Sequence, residues 1–201
     1  MNVFDFKKRG KPNRLAEQLL AKAKESEPTI TKDLKAAAES NNAQLVGLGN
    51  KFKSKDSLVR KLVDESIRRN IPIEKIARRN NDTLRYTFLL DEEDYGKSFL
   101  NTLIELRKSG YDIPNKRIWN AWNLKDLETD IGYRGINITV ISSQKQKFEL
   151  QFHTKDSFRL KTKTHNLYEE LRNPKTSEAG KIEITKKMLE LAEKIKRPKG
   201  I

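Results

Sequence analysis

The chain has 201 residues, enough for one domain with a sizeable core and too few for two ordinary ones. Its 42 lysines and arginines outnumber 28 aspartates and glutamates, which gives a net charge of +14. The absence of cysteine excludes disulfides, Cys-ligated zinc, iron–sulfur clusters and thiol nucleophiles. The charge indicates a polyanionic partner, either nucleic acid or a phosphate-rich small molecule; a merely soluble basic surface is the simpler alternative.

The composition also limits the kinds of metal site and membrane contact that the chain can form. The two histidines, His153 and His165, are too few for a multi-histidine metal centre, although aspartate and glutamate can hold Mg²⁺. No apolar run is long enough to span a membrane, and the first residues lack the apolar core of a secretory signal. We therefore expect no membrane partner and a cytoplasmic site of action.

The N-terminal part predicts helices before the first strand. Residues 1–12 are basic and show no period, which indicates a loose arm. Asn13 is expected to cap a helix that ends at Pro28, and a second helix is expected to follow it to about Glu39. Residues 44–48 then predict a short strand.

The middle of the chain alternates helices and strands. Ser54 or Asp56 is expected to cap a helix, and a short helix around 72–79 precedes a strand at 84–90. Asp91 is expected to cap the helix after that strand. The helix that starts near residue 54 is expected to bury the stripe Leu58, Leu62, Val63 and Ile67.

The remaining elements complete the fold class. In order, the sequence predicts an extended segment at 111–122, a polar loop at 123–132, a hairpin of strands at 134–141 and 146–153, and helices at 155–172 and 177–196. This order favours an α+β domain with a single mixed β-sheet of about five strands flanked by helices.

Basic residues surround a hydroxyl at the start of the helix near residue 54. Lys51, Lys53 and Lys55 alternate, so on an extended backbone they are expected to project from one face. Ser57 and Lys61 are four residues apart and share a face of the helix. Such a cluster suits a polyphosphate, although a solvated helix start gives the same pattern.

Two carboxylates are candidates for magnesium binding. Asp82 comes just before the strand at 84–90, and Glu149 lies in the second hairpin strand. Alternation along that strand places Glu149, Gln151 and His153 on one face. A metal held by Asp82 and Glu149 would bridge phosphate oxygens, whereas a half-exposed strand explains the alternation without any function.

An aromatic residue stands at the entry to the hairpin. Tyr133 lies between Gly132 and the pair Arg134-Gly135, where a side chain can stack on a base or simply pack on its own sheet. His165 lies on the following helix, where a lone histidine is more often a local hydrogen-bonding group than a catalyst.

The order of these motifs resembles the synthetase domain of the RelA/SpoT homologue family of nucleotide pyrophosphokinases. The matching segments are KFKSKDSLVRK at 51–61, Asp82, GYRGIN at 132–137, FELQFHT at 148–154 and HNLY at 165–168. The resemblance covers 44–172, the expected synthetase core. Residues 1–43 are expected to form a basic arm with helices, and 173–201 a C-terminal helix that packs on the core. The resemblance to this family has a functional implication as well. It implies transfer of the β,γ-pyrophosphate of ATP to a ribose hydroxyl of an acceptor nucleotide, with Mg²⁺.

The resemblance also implies a role for each matching residue. The residues implied to bind ATP are Lys51, Lys53, Ser57, Lys61 and Arg85. Asp82 is the magnesium-binding aspartate, and Glu149 is the catalytic glutamate and second metal ligand, supported by Gln151. The acceptor side is implied to consist of Tyr133, which stacks on the base, with Asn137, His153 and His165.

Three positions depart from the family pattern. Lys51 and His153 each stand where arginine is usual, and Asn137 stands where histidine is usual. These changes bear on the acceptor more than on the chemistry. The chain looks like the small stand-alone or toxin-type members of the family, for which an antitoxin or immunity protein is an expected partner.

The sequence leaves the acceptor and one alternative function open. The acceptor is a guanine or adenine nucleotide or the 3′ end of tRNA, and the retained tyrosine turn favours a small nucleotide. A catalytically inactive RNA-binding module on the same fold is the alternative, because basic residues also cluster at 7–14 and 194–199.

Overall fold

The computed structural model describes residues 10–123, 132–173 and 175–201. Its α-helices are α1 (Gly10–Ser40), α2 (Lys55–Arg69), α3 (Ile73–Arg79), α4 (Tyr95–Lys108), α5 (Lys155–Leu171) and α6 (Glu178–Ala192). Its strands are β1 (Gln44–Val46), β2 (Arg85–Leu89), β3 (Ile118–Asn120), β4 (Ile136–Ile141) and β5 (Lys147–His153). Parts of the predicted arm at 1–12 and of the predicted loop at 123–132 lie outside the described residues.

The strands form one mixed sheet. Their order is β1-β2-β5-β4-β3. β2 and β5 are parallel, whereas the other neighbouring strands are antiparallel. The predicted hairpin is β4 and β5, so both the hairpin and the expected α+β class with five strands are confirmed.

One face of the sheet is apolar and carries the core. Large side chains alternate along the central strands, where Tyr86, Phe88, Phe148 and Phe152 are nearly or fully buried. They pack with buried residues of α1 and α4, which cover this face. Burial of this apolar surface is the main contribution to folding.

The opposite face is polar, and the register aligns its side chains in rows. Arg85, Glu149 and Thr139 are paired across β2, β5 and β4. The next row on the same face is formed by Thr87, Gln151, Asn137 and Trp119. Directly paired residues project to the same side of a sheet. The side chains of both rows therefore lie together on the polar face.

α1 differs from the expected pair of helices. It runs through Pro28 without a break and starts at Gly10, so Asn13 does not cap it. Proline removes one backbone hydrogen bond and crowds the preceding turn. Apolar residues on both sides of Pro28, Ala23 and Ile30, are buried in one core, and their burial favours a continuous helix. The predicted break was wrong.

Two smaller expectations were also wrong. Ile67 is 69% exposed, because the buried stripe of α2 consists of Leu58 and Leu62, which pack in a cluster with residues of α1 and α3 that does not include Ile67. Asp94 rather than Asp91 occupies the N-cap position of α4. The Asp91 carboxylate instead accepts a hydrogen bond from the backbone N–H of Glu93 at 2.8 Å, in the turn before the helix.

Candidate active site

A buried aspartate holds two lysines at the start of β2. The Asp82 carboxylate lies 2.7 Å from Lys53 Nζ and 2.8 Å from Lys61 Nζ, one lysine on each oxygen. Lys53 lies in the segment before α2, and Lys61 is on α2 itself. Burial alone would raise the pKa of the Asp82 carboxyl, but the charges of Lys61 and Lys53 lower it below its usual value. The carboxylate is therefore ionised at neutral pH.

Lys51, Lys53 and Lys55 do not project from one face of an extended backbone, as the sequence predicted. Lys51 has a helical backbone and pairs with Glu27 of α1 at 3.1 Å, and Lys55 pairs with Glu17 of α1. The three lysines thus meet three different carboxylates, and the predicted row on one extended face was wrong. Ser57 lies in the first turn of α2, where its backbone N–H donates to the Ser54 side chain, which caps the helix.

Glu149 is connected to α5 through a chain of hydrogen bonds. Gln151 Nε2 donates to Glu149 Oε1, and Lys161 Nζ donates to Gln151 Oε1. Thr87 Oγ1 also donates to Gln151 Oε1, at 3.3 Å. Two donors on its oxygen fix the Gln151 amide so that its NH₂ group faces the Glu149 carboxylate.

Two further cations lie close to Glu149. Arg85 is its direct neighbour in the register of β2 and β5, and Arg85 Nε is buried without a hydrogen-bond partner among the described residues. Burial lowers the pKa of the Lys161 amine to about 8; the charge of Glu149 opposes this effect and the charge of Arg85 adds to it. The site thus combines Asp82 and Glu149 with a larger number of cations, as a polyphosphate requires.

Tyr133 is held by polar and aromatic neighbours. Its hydroxyl donates to Asn137 Oδ1 at 2.6 Å and lies 2.8 Å from His153 Nε2. Its ring is stacked on Trp119 with centroids 5.2 Å apart and an angle of 24°. Burial, with the charge of Glu149, raises the pKa of the Tyr133 hydroxyl well above its usual value. One ring face of Tyr133 is therefore covered by Trp119.

His153 is a buried residue of this part of the site. It is 0% exposed, and its Nδ1 lies 2.9 Å from Ser157 Oγ. Burial lowers the pKa of its imidazole to about 3, so it is neutral at physiological pH. Gly135 packs against it so closely that a Cβ there would lie 2.9 Å from the imidazole ring. The glycine after Arg134 is thus required for this close approach.

Trp119 borders a cavity at the edge of the polar face. It is 41% exposed. The cavity has a volume of about 520 Å³ and is lined by Asn81, Lys116, Arg117, Ile118, Trp119, Asn137, Ile138, Thr139 and Glu149. It extends from Trp119 to Glu149. His165, in contrast, is exposed on α5, one turn after Lys161.

Sequence reasoning missed two residues of the site, Lys161 and Trp119. Lys161 is one of several lysines on α5, and only its distance from Gln151 distinguishes it. Trp119 was expected only as part of an extended segment, because its stacking on Tyr133 depends on the pairing of β3 with β4. No local motif identifies either residue.

Three comparisons place this architecture among known proteins. No family model matches the sequence, and no curated protein matches it. Among solved structures, small alarmone synthetase 1 from Bacillus subtilis superposes with a TM-score of 0.59 at 16% identity, covering 88% of this chain and 90% of that chain. Small alarmone synthetase 2 from the same organism gives a TM-score of 0.59 at 14% identity with the same coverage, 88% and 90%.

The chain has the small alarmone synthetase fold. The same fold occurs in small alarmone synthetase 1 bound to its product pppGpp, with a TM-score of 0.55, 12% identity and coverage of 87% of this chain and 85% of that one. It also occurs in the complex between the Type VI effector Tas1 and its immunity protein, with a TM-score of 0.53, 16% identity and coverage of 88% and 94%. In this synthetase fold, the polar face described above is the candidate active site.

The described part of the chain holds neither a membrane-spanning helix nor a cluster of metal-binding side chains. No helix within it is long and apolar enough to cross a membrane. No group of three or more histidine, aspartate or glutamate side chains within 10–123, 132–173 and 175–201 is placed to hold a metal ion.

Proposed function

We propose that this protein is a magnesium-dependent pyrophosphokinase that transfers the β,γ-pyrophosphate of ATP to a ribose hydroxyl of a purine nucleotide. One observation carries the proposal: Glu149 lies beside Arg85 in the register of β2 and β5, and the charge of Arg85 also acts on Lys53 of the Lys53–Asp82–Lys61 cluster. The synthetase fold supports the same reaction class.

The donor side is assigned to the basic segment and β2. Lys53 and Lys61 meet at Asp82, and the triphosphate of ATP would compete for their ammonium groups. Ser57 lies in the first turn of α2, where backbone N–H groups favour an anion. Lys51 and Arg85 are the remaining residues that we assign to ATP.

The carboxylates fit a magnesium ion that is shared with the substrate. Mg²⁺ is usually held by one or two carboxylates together with phosphate oxygens, so Asp82 and Glu149 form a sufficient protein contribution. The bound ion would neutralise negative charge on the transferred group. Both oxygens of Asp82 are occupied by lysines, and release of one lysine to the phosphates would free an oxygen for the metal.

The acceptor is assigned to the cavity beside Trp119. The exposed indole offers a stacking surface for a purine, and the ring of Tyr133 supports it from behind. Asn137 and His153 hold the Tyr133 hydroxyl, which keeps this aromatic pair in place. The cavity extends from Trp119 to Glu149, so a ribose bound there would reach the carboxylate. A role of His165 on the acceptor side stays a prediction.

The chemistry requires one base and precise placement. The ribose hydroxyl oxygen attacks the β-phosphorus of ATP, the bond between that phosphorus and the α,β-bridging oxygen breaks, and AMP leaves. Glu149 accepts the proton of the hydroxyl, and Gln151 holds the carboxylate in position. The cations around the site stabilise the charge that develops on the phosphoryl oxygens.

A small nucleotide is favoured over tRNA by the position of the basic ends. Lys11 pairs with Glu74 of α3, and Lys199 pairs with Glu93 before α4. α3 precedes β2 in the chain and Glu93 follows it, so the two lysines contact different parts of the fold. This arrangement does not favour one continuous basic surface for RNA. An inactive RNA-binding module also gives no reason for two carboxylates beside the cations.

We also propose that the protein acts as a toxin and that an immunity protein binds it. The likeness to the effector Tas1, whose structure is a complex with its immunity protein, supports both. We place the site of action in the cytoplasm, where the donor ATP is abundant.

The function is tested by identifying the products. The protein is incubated with Mg²⁺, ATP labelled at the β- or γ-phosphate, and GDP, GTP, AMP, ADP or deacylated tRNA in separate reactions. We expect AMP and a nucleotide carrying an extra pyrophosphate, separated by chromatography and identified by mass spectrometry. Label on tRNA alone would overturn the small-nucleotide acceptor, and an absence of AMP with every acceptor would overturn the proposed function.

A further inference from the structure

Lys161 enters the polar face from a different element than the other cations. Lys53, Lys61 and Arg85 come from the segment before α2, from α2 and from β2, whereas Lys161 lies on α5, after the hairpin. Its amine reaches Gln151, which in turn contacts Glu149. Its neighbour Lys163 is exposed to solvent on the same helix. Lys161 is therefore directed into the site.

The charges around Lys161 are unbalanced. At the other end of the site, each oxygen of Asp82 accepts a hydrogen bond from one lysine. At this end, Arg85 and Lys161 both lie near the carboxylate of Glu149, and one of its oxygens already accepts from Gln151. Partial burial of both cations makes their mutual repulsion costly unless an anion lies between them.

Arg85 gives an independent indication of a missing anion. Its Nε is buried and has no acceptor within the described residues, and buried polar groups in proteins are usually paired. The lowered pKa of Lys161, caused first by burial and in part by the charge of Arg85, agrees with an incomplete set of counter-charges. A phosphate oxygen is an acceptor that suits both side chains.

We propose that Lys161 and Arg85 form an anion-binding subsite for the pyrophosphoryl group that is transferred. The subsite lies at Glu149, beyond the Lys53–Asp82–Lys61 cluster, and it places the leading phosphoryl group beside the base. This inference rests on the proposed function for the identity of the anion. Its geometry makes Lys161 a binding residue with two contacts, one to Gln151 and one to the phosphoryl oxygens.

Two substitutions separate the charge of Lys161 from its hydrogen bond. Lys161→Gln retains an N–H donor for Gln151 but removes the charge, whereas Lys161→Arg retains the charge. The matched control is Lys163→Gln, which removes one exposed charge from the same helix. Thermal unfolding without ligand, followed by circular dichroism, checks that each variant is folded.

The probe is inorganic pyrophosphate, titrated by calorimetry into the parent and each variant. We expect Lys161→Gln to weaken binding about tenfold or more, since a charge-assisted hydrogen bond is lost. Lys161→Arg keeps the charge in the subsite and Lys163→Gln lies outside it, so both should bind pyrophosphate within about twofold of the parent. Unchanged pyrophosphate affinity in a folded Lys161→Gln variant overturns the subsite.

The transfer assay is run in parallel so that the two proposals are tested separately. If the parent binds pyrophosphate through Lys161 but transfers nothing from ATP, the subsite stands and the proposed function is overturned. If the parent transfers pyrophosphate and Lys161→Gln binds and transfers as well as the parent, the function stands and the subsite is overturned.

Discussion

Arg85 and Glu149 are direct neighbours in the register of the parallel strands β2 and β5. Both side chains project to the polar face, because paired residues point to the same side of a sheet. The guanidinium Nε has no acceptor among the described residues. A phosphate oxygen bound at this position would therefore meet a strong donor and the proposed base at once.

Asp82 is expected to stabilise the folded protein as well as the site. Asp82→Asn removes the charge that holds Lys53 and Lys61 and leaves two partly buried cations without their counter-ion. We expect a loss of about 2–4 kcal/mol in the free energy of unfolding, measured by urea denaturation. Asp64→Asn on the exposed side of α2 is the control, with an expected change below about 0.5 kcal/mol. Equal stability of both variants would contradict the account of this cluster.

His153 is expected to make stability depend on pH. Its pKa is about 3 in the folded state, so it stays neutral there while the unfolded chain binds a proton below the usual value of about 6.5. The unfolded state then holds more protons, and folding stability falls as the pH decreases. Relative to His153→Gln, the parent should lose about 2 kcal/mol between pH 7.5 and pH 5.

The second histidine supplies the control for that measurement. His165 is exposed on α5, and unfolding of His165→Gln is measured over the same pH range as the matched histidine substitution. A parent whose stability relative to His153→Gln is constant from pH 7.5 to pH 5 would show that His153 is not held neutral by burial.

Trp119 is expected to determine affinity for the acceptor. Trp119→Ala removes the stacking surface beside the cavity, and we expect the KM for the acceptor to rise about tenfold or more. The KM for ATP should stay the same, because Lys53, Lys61 and Asp82 of the donor cluster do not line this cavity. Trp119→Phe should restore much of the affinity, and Leu100→Ala, which shortens an exposed side chain on α4, is the control. An increase in the KM for ATP alone would contradict the assignment.

The sequence predicted those elements whose residue pattern is local, such as strands with alternating polar and apolar residues. Alternation identified the hairpin of β4 and β5, and with it the common face of Glu149 and Gln151. Features that depend on tertiary contacts were not predictable in this way. Pro28 is tolerated because α1 is buried on both sides of it, and Lys161 becomes part of the site only through the packing of α5 on β5.

Pro28 gives a direct test of that explanation. Pro28→Ala restores a backbone hydrogen bond within α1 and removes a steric clash with the preceding turn. If packing alone maintains the helix through this position, the variant should be more stable by about 1–3 kcal/mol, measured by thermal or urea unfolding. Thr29→Ala, at the next position, is the control and should change stability by less than about 0.5 kcal/mol. A destabilised Pro28→Ala variant would show that the core requires a bend at this proline.

The central claim is that Glu149 acts in pyrophosphoryl transfer, and Glu149→Gln tests it most directly. The variant keeps the size and the hydrogen-bonding capacity of the side chain but removes the base and a metal ligand. The rate of AMP formation from ATP is measured with the acceptor that the parent uses, alongside Glu178→Gln, which removes an exposed carboxylate from α6. We predict a fall of about a hundredfold or more for Glu149→Gln and no change for Glu178→Gln. Transfer by Glu149→Gln at the rate of the parent would contradict the account.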